Sequence, residues 1–219
     1  MQWDNETRLA VETALNESEV LGVRLGPCGG WCDLLLHVLA LPEAGPIDPD
    51  TRRILRLTSP TQVKILLRAD RMAASGYGPV IPLGNLDAVE EFFASLSWTG
   101  SMYGWKFLDD SSLTHDWPAE TSLTIDIRPP AAAPHTLYWF NECGRDEAET
   151  KVGYCIEGTV AFESLAVLRA DATPQPLSEF VFQGQNYWRA LQRGDERLGV
   201  QAQRAAQSGA PSWRHNVRN

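Results

Sequence analysis

The stretch Gln62-Val63-Lys64-Ile65-Leu66-Leu67-Arg68-Ala69-Asp70 decides how this chain folds. Val63, Ile65, Leu67 and Ala69 fall on one side of an extended backbone. Gln62, Lys64, Arg68 and Asp70 fall on the other, with Leu66 the exception. Successive side chains of a strand point to opposite faces, so the alternation predicts a strand with one dry face and one partly wet face. Arg53 to Thr58 precedes it, and the intervening Ser59-Pro60 suits a turn, so the two segments are expected to form a β-hairpin.

Outward from this pair, strand-like and helix-like segments alternate. Asp4 to Asn16 reads as a short helix, Val20 to Leu25 as a strand, Gly26 to Gly30 as a turn, and Trp31 to Leu41 as a buried strand. Pro42 to Asp50 carries three prolines and is expected to be a loop. Asn85 caps a predicted helix in which Leu86, Val89, Phe93 and Leu96 share a face. Asp87 in its first turn suits the helix dipole. Ser97 to Glu120, rich in aromatics and turn residues, reads as a connection with a short strand near Lys106 to Leu108. Strands follow at Ser122 to Arg128, His135 to Cys143, Val152 to Ile156 and Val160 to Ala170, with Gly144 to Lys151 as an acidic loop. Ser178 is expected to cap a helix that Gly184 weakens by roughly 1 kcal/mol relative to Ala and that Gly194 ends. Asp195 to Gln207 reads as a last, polar helix.

Leu67-Arg68-Ala69-Asp70 recurs as Leu168-Arg169-Ala170-Asp171. Each copy ends a strand and is followed by a loop, a Pro-Leu pair (Pro82-Leu83, Pro176-Leu177) and an aromatic-rich helix. The pattern predicts an α+β chain. Two small antiparallel sheets, a duplicated unit or one merged sheet, are each covered by a helix, with a further helix at the C-terminal end. The expected division is 1–100 and 101–219, the second part carrying the C-terminal helix and tail, or one compact domain formed by both.

The chain has 219 residues, a formal net charge of −9, 43% hydrophobic residues and eight tryptophans, which together support a folded core. The acid excess and the lack of a basic run disfavour nucleic acid, whose binding requires cations that displace phosphate counterions. Only Lys64, Lys106 and Lys151 are lysines, an Arg bias of the kind that accompanies GC-rich, bacterial-like coding. Cys32 to Leu41, the most hydrophobic stretch, is about half of what a membrane span needs. The polar first fifteen residues do not read as a signal peptide. These features together predict a soluble, cytoplasmic protein without membrane contact, whose four cysteines are reduced thiols.

Signatures of chemistry are sparse. Cys28 and Cys32 are separated by three residues, with Cys143 and Cys155 distant, which fits zinc spacing only loosely. Buried thiols are the expected role, with no metal and no cofactor. Gly26-Pro27-Cys28-Gly29-Gly30 lacks the Lys-Ser/Thr ending of a phosphate loop. Asp33 and His37 share a face, and His115 and Asp116 lie near Asp109 and Asp110; these six are the candidate catalytic groups. Glu142, Asp146, Glu147 and Glu149 form an acidic run suited to a basic partner, and Trp98, Tyr103 and Trp105 are candidate aromatic contacts. The leading expectation is a non-enzymatic protein-binding or accessory protein, with an immunity-type inhibitor of a basic partner as one instance. Alternatives are a hydrolase or metal-dependent enzyme built on the His/Asp cluster, and a structural subunit of a larger assembly.

Overall fold

The computed structural model describes residues 4–69, 78–100, 104–108, 114–128, 133–147 and 150–199. It is an α+β protein with two antiparallel sheets and three α-helices, the last of them C-terminal. The helices are α1 (Asn5–Leu15), α2 (Leu86–Ala94) and α3 (Leu177–Arg193). The strands are β1 (Glu19–Leu25), β2 (Trp31–His37), β3 (Arg52–Thr58), β4 (Gln62–Ala69), β5 (Trp98–Gly100), β6 (Lys106–Phe107), β7 (Leu123–Asp126), β8 (His135–Glu147), β9 (Thr150–Phe162), β10 (Ser164–Arg169) and β11 (Pro174–Gln175).

The first sheet runs β1-β2-β3-β10-β11 and the second β5-β8-β9-β4-β7, with β6 also on β8. The expected hairpin of β3 with β4 does not form. β3 pairs with β2 and β10, and β4 pairs with β9 and β7. Ser59, at φ +48°, turns the chain out of one sheet into the other instead of folding it back. Glu163 separates β9 from β10 at the matching place. The Ser59 amide donates to Gly30 O, the Glu163 amide to Thr58 O and the Thr61 amide to Ala161 O, so both corners are tied to each other and to the β1–β2 turn. Each sheet therefore takes strands from both sides of residue 100.

Alternation along β4 holds from Gln62 to Ile65, beyond which Leu66, Leu67 and Arg68 are all buried. Its dry side, Val63, Ile65 and Leu67, joins Leu137, Trp139, Ile156 and Val160 of the second sheet in one core. Leu34, Leu36, Leu55 and Leu57 of the first sheet face them, and α1, α2 and α3 add Val11, Phe92, Phe93 and Phe180. Phe92 meets Tyr154 edge to face at 5.4 Å, and Phe93 lies 6.5 Å from Trp139. Burying such rings contributes roughly 25 cal/mol for each Å² removed from water, which makes α2 the bridge between β1 and the inner side of β8 and β9.

Several boundaries move for local reasons. β2 stops at His37, and residues 38–41 leave the sheet, where the Leu41 amide donates to Gln183 O of α3. The expected acidic loop is largely strand, since Gly144 to Glu147 pair with Thr150 to Gly153. Charged residues are tolerated there because the hairpin end has water beside it. Asn85 does cap α2, accepting from the Ala88 amide at 2.9 Å. Ser178 does not cap α3, which begins one residue earlier, after Pro176. Gly194, at φ +69°, ends α3, and only a short 3-10 turn (Glu196–Leu198) follows within the described residues. The rest of the expected last helix lies outside them.

Gly184 sits where α1 crosses α3. A methyl group there would lie 2.6 Å from Ala14 Cα. Helix propensity favours Ala over Gly by about 1 kcal/mol, but forced overpacking costs about 1–3 kcal/mol. Gly184→Ala is therefore expected to destabilise the protein, with a lower urea midpoint and an unchanged slope. A raised midpoint would show that the helices can separate freely.

Candidate functional site

Opposite the core, the second sheet presents a face whose rows follow from the register. One row carries Thr124, Lys64, Thr159 and Tyr138, the next Leu66, Glu157 and Phe140, and the next Arg68, Cys155 and Glu142. Leu66, the exception in the β4 pattern, is fully buried on this face beside Glu157. The Glu157 carboxylate is saturated. Oε1 accepts from Arg68 Nη2 at 3.1 Å, and Oε2 accepts from Trp117 Nε1 at 3.0 Å and Tyr138 OH at 2.9 Å. A buried carboxylate needs such partners, because removal from water costs several kcal/mol. The network anchors the segment around Trp117 onto the sheet.

Further along β8 the face carries two carboxylates, Glu142 and Asp146, the second of them opposite Lys151 in the register. Trp98 on β5 is the Cα partner of Gly144. Its indole lies on the glycine, where an added Cβ would collide with the ring. Glu142 and Asp146 stand two residues to either side of Gly144 and so on the same face as the ring. The Asp146 amide donates to Ser97 Oγ, which fixes β5 to the hairpin. Trp98 remains 37% exposed, one of few large apolar side chains that do so. Arg145, on the other face, stacks over Phe92 and Tyr154 at 5.5 and 5.4 Å. Its charge is thus held away from Glu142 and Asp146. Glu147 ends β8. Glu149 and Tyr103 lie outside the described residues, and Trp105 is buried, donating from Nε1 to Ser18 O.

Among the described residues the candidate catalytic groups do not converge. His115 and Asp116 are 3.2 Å apart in an exposed turn, 85% and 79% open to solvent. Asp109 and Asp110 lie outside the described residues. Asp33 is gripped by Arg56 through two hydrogen bonds of 2.8 and 2.7 Å, with Trp31 beneath the guanidinium at 4.4 Å. His37 is four residues further along the strand, about 13 Å away, which is too far to be oriented by Asp33. Cys32 and Cys143 are buried as expected, whereas Cys28 is exposed in the β1–β2 turn. Burial pushes the Cys32 thiol far up, with Asp33 adding to the effect. Among the described residues no group of three His, Cys, Asp or Glu is placed to hold a metal.

Two cavities open on the outer faces. One of about 490 Å³ on the first sheet is lined by Arg24, Arg52 and Arg56, each held by a carboxylate: Glu90, Asp50 and Asp33. The other, of about 480 Å³, lies over Lys64 and Thr159 on the second sheet. Lys64, Thr159 and Glu157 are functional candidates that residue-type motifs do not flag. The available signal was Lys64 itself, one of three lysines in an arginine-rich chain. No protein-family model, no curated protein and no solved structure matches this chain. No helix among the described residues is long and apolar enough to cross a membrane.

Glu157→Leu would leave Arg68 buried without its carboxylate, at a cost of about 3 kcal/mol, whereas Glu157→Gln, which keeps an acceptor for Trp117 or Tyr138, would cost less. Urea titrations of the two variants give the comparison, and equal losses would show that the charge is immaterial. His37 supplies a pH test. Burial lowers its pKa below the ordinary 6.5, against the opposing pull of Glu19 and Asp50, and its Nε2 has no hydrogen-bond partner. The unfolded chain therefore binds the proton more readily than the fold does. The resulting stability is present above pH 6.5 and is lost as the pH falls below it. In thermal melts from pH 7 to pH 5, His37→Gln should flatten the decline. A slope equal to that of the parent chain would remove His37 as its source.

Proposed function

We propose that this chain is a non-catalytic binding protein that takes a basic protein surface on the free end of its β8–β9 hairpin. The seating of Trp98 on Gly144 between Glu142 and Asp146 carries the reading. A rigid, half-open indole is the side chain most enriched at interface hot spots. Flanking carboxylates raise the association rate of a cationic partner and set its register more than they add affinity. The net charge of −9 acts in the same direction over a longer range. Inhibition of a basic toxin by an immunity-type protein is one activity that uses such a surface. A soluble, cytoplasmic setting suits it, with free cysteines and no nucleic acid among its partners.

We also take the chain to descend from a duplicated unit. β3–β4 and β9–β10 are each a strand, a corner and a strand that ends within a Leu-Arg-Ala-Asp copy, followed by a Pro-Leu helix entry. They run antiparallel against each other, β3 on β10 and β4 on β9. The acidic end is an elaboration of the second unit, whose first two strands are nearly twice as long as β2 and β3.

A photo-crosslinking amino acid at Trp98 in the native cell, followed by mass spectrometry, identifies the partner. With that partner purified, Glu142→Lys together with Asp146→Lys is expected to slow association at least about tenfold and to remove most of its salt dependence. Trp98→Ala should act mainly on dissociation. An acidic partner, or association indifferent to the charge reversal, would overturn the reading.

A further inference from the structure

The cavity over β4 and β9 holds a lysine in an acidic protein. Lys64 lines it at the centre of a sheet row, with Thr124 and Thr159 as its cross-strand partners. No acidic residue is among its described lining, which includes five threonines and Gln62. Among the described residues the side chains of Lys64, Thr136 and Thr159 have no hydrogen-bond or ion-pair partner. Lysines near carboxylates ordinarily pair with them; this one faces hydroxyls. Two acidic groups flank the Lys64 row on this face: Asp126, which accepts from Gln62 Nε2 at 2.6 Å, and Glu157, whose two oxygens are committed to Arg68, Trp117 and Tyr138. The bond to Glu157 also fixes the Trp117 indole in the wall, beside Leu108 and Pro118.

We propose that this hollow binds a small hydroxylated oxyanion, such as a sugar acid or sugar phosphate, with Lys64 and Thr159 on the anionic group. The ammonium and the Thr159 hydroxyl offer several donors to one oxyanion, and charge-assisted bonds of this type are the strong ones. Thr136, the hydrogen-bonded Thr121–Thr124 pair and Gln62, whose Nε2 also donates to Asp126, match the hydroxyls of the ligand body, and the Trp117 wall matches its apolar face. At about 480 Å³ the cavity is of ordinary small-ligand size. The site is separate from the acidic hairpin end and does not depend on what binds there.

The full chain is titrated calorimetrically with D-glucuronate, glucose 6-phosphate, glucose and inorganic phosphate. Saturable one-to-one binding of glucuronate, of the phosphate ester or of both supports the proposal and tells which anionic group the site takes, provided that glucose binds at least about tenfold more weakly. Lys64→Met is expected to weaken the bound ligand about tenfold or more, Thr159→Val several-fold, and Lys64→Arg much less than Lys64→Met. Thermal melts of each variant report whether the fold is kept, and Lys64→Arg keeps the test open if Lys64→Met is damaged. Inorganic phosphate binding as tightly as either sugar derivative would mean a bare charge and would overturn the hydroxylated ligand. No saturable binding of either derivative, or equal binding by a folded Lys64→Met, would overturn the site.

Discussion

The two corners at Ser59 and Glu163 hold the architecture together. β3–β4 and β9–β10 each cross from one sheet to the other, and they cross side by side. Because each pair is continuous, the register of β3 on β10 and that of β4 on β9 are not independent. A one-residue slip in either sheet would have to be absorbed at a corner whose amides are already committed to Gly30 O, Thr58 O and Ala161 O. It would also turn every inward side chain outward. The corners thereby specify which faces meet in the core and which face water, and both cavities and the acidic hairpin end inherit their positions from that choice.

Tryptophans placed on glycines reinforce the register. Trp139 lies on Gly158, Trp98 on Gly144 and Trp31 on Gly26, and the first two are direct cross-strand partners. A strand glycine contributes no packing and costs backbone entropy, but it gives a large ring a flat seat, and the ring covers peptide bonds that would otherwise be wet. The same device serves different ends. Trp139 is fully buried and fills the core, Trp31 supports the Arg56–Asp33 pair, and Trp98 is left half open at the edge of the sheet. Trp98 is the most exposed of the three, while Trp31 lines the cavity of the first sheet.

The sequence made the faces legible but not the pairings. Period-two alternation in β4 marks its dry side whichever strands flank it, so the α+β class and the core residues of β4 could be read directly. Ser59-Pro60 fits a tight turn as well as a corner, and nothing local separates the two. One of the two partners of β3 is β10, more than a hundred residues away. Gly184 shows the same limit, being a weak helix former by propensity and a contact point by tertiary structure. Leu66 breaks the alternation because the wet face is only wet in part: it lies in a row with Glu157 and Phe140. The acidic run Glu142, Asp146 and Glu147 was visible in composition, yet its meeting with Trp98 depends on β5 pairing across more than forty residues. His115 with Asp116, adjacent in sequence and suggestive of chemistry, folds into an open turn.

The outer face of the second sheet is electrically divided. Along β8, Tyr138 lies in the Lys64 row, Glu142 is four residues on and Asp146 eight, so the hollow and the two carboxylates are about 13 and 26 Å apart by strand rise. The Debye length at physiological salt is about 8 Å, and Glu157 stands between them already neutralised by Arg68. A cation held at the hairpin end and an anion held in the hollow therefore interact only weakly through space. Any coupling between them has to travel through the Glu157 network, which touches the Trp117 wall of the hollow on one side and Arg68, in the Glu142 row, on the other. One saturated carboxylate thus separates the Lys64 row from the Glu142 row on a single sheet face.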